Sequence, residues 1–190
     1  MTKNNRTKAY YAEALEQILV GKPFEKIQVK DLCTYCQTTR TTFYYHFHDK
    51  YDLVAWIFNQ DYSAVFCAPD ADGTEQTATK LLERMYEKRD FYRKVFTDHS
   101  QNSIRNYIHA FNVENGIRVV RLTYHALPSA EQMYMIHHFS YGSTQVLMDW
   151  LMGKFTMTAD ELAHMQYRVM PDFLEIAYRH GFEKCISQKN

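Results

Sequence analysis

The most informative stretch of the chain is Thr38-Thr39-Arg40-Thr41-Thr42-Phe43-Tyr44-Tyr45-His46-Phe47-His48-Asp49-Lys50. Phe43 and Phe47 stand four positions apart, so on a helix they would share one face. The other face would carry the polar side chains of residues 39–46, and none of them is acidic. This pattern predicts a short helix that buries two phenylalanines and exposes hydrogen-bond donors and aromatic rings.

A second short helix is predicted immediately before this stretch. Val29, Leu32, Cys33 and Cys36 follow the spacing i, i+3, i+4, i+7 of one helix face. Two short helices joined by a tight turn can lie across a DNA duplex, with the second helix in the major groove. A face without carboxylates suits the approach to phosphates. The pair is therefore a candidate helix-turn-helix.

Helical periodicity continues along almost the whole chain. The first helix is expected to end at Gly21, before Pro23, and Asp49 is expected to cap a long fourth helix. Pro171 lies within the last predicted helix and is expected to kink it. The later helices, of which the last two follow capping-box patterns, are predicted near residues 75–88, 90–97, 102–123, 130–152 and 159–181.

The predicted fold class is all-α, with about nine helices. Residues 1–48 would form a three-helix helix-turn-helix DNA-binding domain. Residues 49–190 would form a larger helical domain for ligand binding and dimerisation. Only six glycines and four prolines occur in 190 residues, which argues against a turn-rich β fold and against long disorder.

Charge and cysteine content add little to this interpretation. The 22 basic and 22 acidic residues cancel, and residues 1–60 carry only a small positive excess. The chain shows neither a signal peptide nor an apolar run of membrane-spanning length, and its four cysteines are too sparse for a disulfide framework. We therefore expect a cytoplasmic protein that does not associate with a membrane.

The aromatic content is high, with 15 tyrosines and 12 phenylalanines. These rings can line a ligand cavity or simply fill an aromatic core, and the sequence leaves both interpretations open. If there is a cavity, its predicted ligand contacts are Tyr107, Phe111, His137 and Tyr141.

The predicted helix near 130–152 is apolar on several sides, because Glu131 and Asp149 are the only charged residues over 131–152. Such a helix is buried all round. One side can face the chain's own core and the other a partner, giving half of an intermolecular four-helix bundle with the last helix. The alternative is a central helix in a monomeric core. The predicted dimer contacts are Val146, Trp150, Phe173 and Ile176.

No catalytic motif and no metal-binding pattern is evident. Cys33 and Cys36 form a lone Cys-x-x-Cys on an apolar face, which favours a structural role over zinc or redox chemistry. The nine histidines show no chelating spacing. We expect no metal, no cofactor and no enzymatic activity.

Two segments carry a resemblance to a known family. Lys26-Ile-x-Val-x-Asp-Leu-Cys and Thr41-Thr-Phe-Tyr-Tyr-His-Phe-x-Asp-Lys-x-Asp-Leu53 resemble the TetR family of bacterial transcriptional regulators. The resemblance implies that Thr39, Arg40 and Thr42 approach base edges, with Arg40 suited to guanine. Tyr44, Tyr45 and His46 would divide between bases and phosphates, and Lys50 would hold a phosphate. The full set of predicted DNA contacts is Thr39, Arg40, Thr41, Thr42, Tyr44, Tyr45, His46, Lys50, Lys3 and Arg6.

Two positions depart from the family pattern. Gln37 stands where the family usually has glycine, and a positive φ there would strain a residue with a side chain. Gln28 stands where the family usually has the better cap, serine or threonine.

The C-terminal part resembles a TetR subgroup that includes regulators of dihydroxyacetone kinase operons. The residues that carry this are Phe139-Ser-Tyr-Gly-Ser-Thr-Gln-Val-Leu-Met-Asp-Trp-Leu151 and Thr158-Ala-Asp-Glu-Leu-Ala163. The resemblance implies a homodimer on palindromic double-stranded DNA, commonly a repressor that a small-molecule effector releases, with activation open to the subgroup. The alternative is a helical small-molecule-binding or enzymatic protein that no longer binds DNA, which Gln37 and the small charge excess favour.

Overall fold

The computed structural model of the chain describes residues 3–97 and 103–187, and the side chains of residues 4–97 and 103–180. Within these ranges every regular element is helical, which confirms the predicted fold class. The α-helices are α1 Lys3–Gly21, α2 Val29–Tyr35, α3 Arg40–His46, α4 Lys50–Phe66, α5 Glu75–Glu87, α6 Arg89–Phe96, α7 Ile104–Tyr124, α8 Ala130–Leu151, α9 Ala159–Arg168 and α10 Asp172–Ser187. A single 3-10 turn, Phe24–Lys26, precedes α2.

The chain divides into two compact units, one within residues 1–60 and 90–104 and the other within residues 61–89 and 105–190. The segment 1–48 lies wholly in the first unit. The functional boundary at residue 48 stays a prediction.

The first unit is built around α1, which ends at Gly21 as predicted. The apolar face of α1 packs against α2, α3 and the start of α4. Large side chains from these elements, and from the residues between them, are buried together. They are Tyr11, Leu15, Leu19, Phe24, Leu32, Phe43, Phe47 and Leu53. Burying such side chains supplies most of the stabilisation of a small helical unit.

The start of α4 carries the cap that the sequence predicts. Asp49 Oδ1 accepts hydrogen bonds from the backbone N–H groups of Tyr51 and Asp52, both at 2.8 Å. Asp52 Oδ2 in turn accepts from the backbone N–H of His48 at 2.9 Å. The exchange satisfies amide groups that the first turn of a helix leaves free, so the orientation of α4 at its start is fixed.

The second unit packs α5 against α9 and builds a core from α7, α8 and α10. Val113, Val120, Ile136 and Leu174 are buried in that core. Both capping boxes at the starts of α8 and α9 form as predicted.

The segment predicted as one kinked helix over 159–181 is two helices, so that prediction is wrong. α9 ends at Arg168, and α10 begins at Asp172. Pro171 disfavours helical backbone at Met170, and its carbonyl accepts from Leu174 at 2.8 Å to start α10. A proline here ends one helix and begins another, which accounts for ten α-helices in the described ranges.

Candidate nucleic-acid interface

The turn between α2 and α3 closes with the hydrogen bonds of a Schellman motif. The backbone N–H of Thr38 donates to Cys33 O at 2.9 Å, and that of Gln37 donates to Thr34 O at 3.2 Å. Gln37 has φ 53°, the left-handed conformation in which glycine is favoured. The predicted strain at Gln37 is therefore confirmed.

The turn leads directly into α3, whose N-cap is Thr39. Thr39 Oγ1 accepts from the backbone N–H of Thr42 at 3.2 Å and lies 3.0 Å from Thr42 Oγ1. The Thr39 hydroxyl therefore caps the helix, and the Thr42 hydroxyl, which is also predicted to approach bases, bonds to it. A cap of this kind contributes about 1 kcal/mol to helix stability.

The outward face of α3 carries the polar and aromatic groups that the sequence predicts for it. Arg40 and Thr41 are exposed, Tyr44 is 56% exposed and Tyr45 is 81% exposed. The Tyr45 ring offers a largely apolar surface with a polar hydroxyl group at its tip. This face of α3 therefore suits contact with another molecule.

The inward face of α3 is anchored by aromatic packing. Phe43 is fully buried and Phe47 is 2% exposed. The Tyr11 ring meets both edge-on, at centroid distances of 5.2 Å to Phe43 and 6.2 Å to Phe47. Aromatic pairs in this geometry add to the area they bury, so α3 is firmly seated.

His46 occupies the boundary between the two faces and is half-buried. Burial lowers the pKa of His46, and the nearby Lys8 ammonium lowers it further. Among the described residues, its buried Nδ1 has no hydrogen-bond partner. Its ring packs edge-on against Tyr45, with centroids 5.0 Å apart.

Lys50 is held inside the first unit. Its ammonium donates to the carbonyl oxygens of Phe24 at 2.7 Å, Glu25 at 3.2 Å and Ile27 at 3.2 Å. These bonds employ the three donors of the group and tie the start of α4 to the 3-10 turn. The predicted phosphate contact would require the ammonium to leave at least one carbonyl.

Other basic residues of the first unit differ in their surroundings. Arg6 is exposed, and the side chain of Lys3 lies outside the described residues. Lys22 pairs with Asp31 at 2.6 Å, and this hydrogen bond lowers the pKa of Asp31. Asp31 also accepts from the backbone N–H of Gln28 at 2.8 Å, which supports the start of α2.

The four predicted ligand contacts lie in two groups. Tyr141 stacks on His109 at a centroid distance of 3.6 Å, and His137 lies 5.7 Å from the same ring. Tyr107 stacks with Phe111 at 6.3 Å. Since residues two apart on a helix point to nearly opposite sides, His109 faces away from Tyr107 and Phe111. No sequence pattern pointed to His109, whose Nδ1 also lies 2.9 Å from Ser140 Oγ.

Two depressions in the second unit lie elsewhere, and neither is lined by a predicted ligand contact. One of about 220 Å³ is lined by Tyr134, Met135, His138, Phe139, Gly142, Val169 and Pro171. One of about 590 Å³ is polar and open, and is lined by Thr74, Glu75, Gln76, Thr79, Lys80, Glu83 and Asp160.

The predicted dimer contacts are not equally available to a partner. Trp150 is 2% exposed, and its Nε1 donates to Met157 O at 2.8 Å within its own chain. Val146 and Phe173 are half-buried, and Ile176 is 46% exposed. The prediction of a dimer through these residues stays a prediction.

Helix α8 also carries a stripe of exposed aromatic rings. Tyr134 is 71% exposed and Tyr141 is 63% exposed. In this chain α8 is therefore buried on one side, not all round. A partner covering the other side would remove these rings from water.

Cys33 and Cys36 are buried and not disulfide-bonded, in keeping with a structural role. Burial raises the pKa of the Cys36 thiol to about 11.

Over the part of the chain that is described, no group of histidines, cysteines and carboxylates could hold a metal ion. None of the described helices has the length and apolar character needed to cross a membrane.

Comparison with known proteins gives a family match. Residues 72–172, more than half of the 190-residue chain, match the family model TetR_C_8, described as the transcriptional regulator C-terminal region. The match lies outside the helix-turn-helix segment, so the two parts of the chain support the TetR resemblance independently.

One curated relative is the HTH-type dhaKLM operon transcriptional activator DhaS of Lactococcus lactis subsp. lactis (strain IL1403). It is 28% identical over 97 residues, which make up 50% of this chain and 52% of the relative. The chain thus matches about half the length of that protein. The relative falls in the subgroup that the C-terminal sequence resembles.

A solved structure described as the dihydroxyacetone kinase operon activator DhaS has a similar fold. It superposes with a TM-score of 0.60 at 16% identity, covering 90% of this chain and 97% of that one. At this identity the likeness shows the fold alone.

Proposed function

The chain belongs to the TetR_C_8 family of transcriptional regulators, and from that premise we propose that it is a DNA-binding regulator that acts as a homodimer on a palindromic operator. The observation that carries the proposal is the surface of α3. Its outward side chains are donors and aromatic rings, and its inward phenylalanines are fully seated in the core. Such a helix is suited to lie in a major groove.

The charges on α3 also support an orientation in which its outward face meets DNA. No acidic residue lies within Arg40–His46, and the exposed Arg40 is suited to the paired acceptors of guanine. The exposed Arg6 would add attraction to phosphate. Sequence preference would therefore come from α3, and part of the affinity from basic residues around it.

A homodimer is proposed because a single α3 is too short to contact a whole operator. One short helix covers only a few base pairs, and two must enter successive major grooves about 34–36 Å apart. The exposed rings of Tyr134 and Tyr141 on α8, together with Ile176 on α10, supply a surface for a second copy. Association at that surface would pair two identical DNA-binding units about a twofold axis.

We further propose a small-molecule effector that binds the larger helical domain. A ligand shifts DNA binding only by its different affinity for the bound and free conformations. The TetR resemblance implies repression that the effector relieves, whereas the DhaS proteins that the chain is similar to are described as activators. A reporter gene placed behind the operator distinguishes repression from activation. Deleting the regulator raises reporter expression if the protein is a repressor and lowers it if the protein is an activator.

The test is binding to a duplex from the upstream region of its own gene, measured by fluorescence anisotropy over 50–200 mM salt. We expect the affinity to fall at least a hundredfold over this range, as counterions return to several phosphates. A scrambled duplex of the same length is the control and should bind at least a thousandfold more weakly.

The alternative function is a helical ligand-binding or enzymatic protein without DNA binding. It predicts equal, weak binding to the operator duplex and to the scrambled duplex at every salt concentration. That result would contradict the proposed function.

A further inference from the structure

A side chain from α1 supports the turn of the helix-turn-helix. The phenol oxygen of Tyr11 lies 2.6 Å from Thr38 Oγ1, across 27 residues of sequence. Tyr11 is fully buried, so its hydroxyl group requires a partner inside the protein. Thr38 provides that partner.

This turn is where external support matters most. Gln37 holds a left-handed backbone conformation that its side chain disfavours. Thr38 follows it directly and precedes Thr39, the N-cap of α3. Thr38 therefore connects the strained residue to the N-cap of α3.

Tyr11 also contacts the buried side of α3. Its ring meets Phe43 and Phe47 nearly at right angles, at interplanar angles of 83° and 81°. Tyr11 thus bonds to the residue before the N-cap of α3 and packs against the buried face of α3, and both contacts restrict the rotation of α3 about its axis. That rotation decides which side chains of α3 face outward.

We infer that Tyr11 is a positioning residue for operator recognition, which acts through Thr38 to set the orientation of α3. This inference rests on the proposed function. Base contacts require side chains to reach particular atoms, whereas attraction to phosphates tolerates small displacements. Loss of the Tyr11 hydroxyl should therefore reduce operator preference more than affinity for DNA in general.

The experiment uses an operator that the wild-type protein selects from a random duplex library. Dissociation constants for that operator and for an unrelated duplex are measured at one salt concentration. Tyr11→Phe keeps the ring and removes the hydroxyl, and we expect operator affinity to fall about tenfold with unrelated DNA unchanged. Thr38→Val should give the same loss, and the double variant should lose no more than either single one.

Tyr10→Phe is the matched control, since Tyr10 is the neighbouring tyrosine of α1 and is 44% exposed. It should leave both affinities unchanged. Urea unfolding of every variant identifies the conditions in which all are folded. If Tyr11→Phe does not fold, Thr38→Val carries the test.

Two outcomes separate the inference from the proposed function. If the wild type selects an operator but both variants keep its full preference, the hydrogen bond is structural only and the inference is wrong. If the wild type selects no operator, the proposed function fails and the inference fails with it.

Discussion

The ammonium of Lys50 donates to the carbonyl oxygen of Phe24 at 2.7 Å and stands 4.4 Å above the Phe24 ring. A cation–π contact and a charged hydrogen bond thus join the first residue of α4 to the turn that precedes α2. Charged hydrogen bonds are stronger than neutral ones, so this link contributes to the packing of the first unit. It also gives Lys50 a role that does not involve DNA.

Lys50→Ala should lower the free energy of unfolding by about 1–3 kcal/mol, because three carbonyl groups lose their donor. Urea unfolding measures the change, and Lys26→Ala, at an exposed lysine nearby, should leave the stability unaltered. The predicted phosphate contact has a separate readout. It requires the slope of log Kd against log salt to fall by about one in Lys50→Ala, and an unchanged slope would assign the residue to stability alone.

Gln37→Gly should raise the free energy of unfolding by about 1 kcal/mol, because glycine adopts φ 53° without strain. The matched control is Gly153→Ala at the end of α8. Gly153 has φ 81° in a turn closed by the same hydrogen-bond pattern. That change should destabilise by a similar amount, and urea midpoints compare the two. A destabilised Gln37→Gly would mean that the glutamine side chain makes a compensating contact.

Arg40→Ala should relax operator preference at one position of each half-site, at a cost of about 1–3 kcal/mol in binding to the preferred sequence. Arg40 is exposed on α3, so its loss should not change the unfolding midpoint. Selection from a random duplex library by wild type and variant provides the measurement. Arg40→Lys keeps the charge but not the planar fork and should also relax the preference. An identical selected sequence would refute the assignment.

Patterns within a few residues predicted the fold well. The apolar spacing of Phe43 and Phe47 gave α3 its buried face, and Asp49 caps α4 as its position predicts. The strain at Gln37 followed from the family resemblance, because the family usually has glycine at this position. The first two depend on residues two to four positions apart, which the sequence displays directly.

Partners distant in sequence were not predictable in the same way. Nothing in the sequence pairs Tyr11 with Thr38. The family resemblance implies a phosphate contact for Lys50, whereas its carbonyl partners, 23–26 residues away, show no sequence signal. His109 was missed for the same reason, since its neighbours lie on another helix. Tertiary packing selects these pairs, and one sequence carries no record of it.

Cys36 should react slowly with iodoacetamide in the native protein. The thiolate is the nucleophile, and burial raises the pKa of this thiol to about 11, so little thiolate exists at pH 8. Labelling should rise steadily with pH up to that value and level off above it. Cys67 is exposed and should label rapidly at pH 8, with both sites followed by peptide mass spectrometry. Equal labelling rates in the folded protein would contradict the burial of Cys36.

Asp61→Asn should lower the free energy of unfolding by about 2 kcal/mol. Asp61 is fully buried, and its Oδ1 accepts from Arg84 Nε at 2.7 Å and from Lys88 Nζ at 2.8 Å. Removing the carboxylate charge leaves two cations facing each other across a buried amide. The loss stays below that of a fully buried pair because the two cations are partly exposed and water can solvate them. Asp70→Asn is the control, since its pair with Lys80 at 2.6 Å is exposed and should contribute nothing measurable. Urea unfolding compares the two variants, and equal midpoints would show that burial does not strengthen the Asp61 pairs.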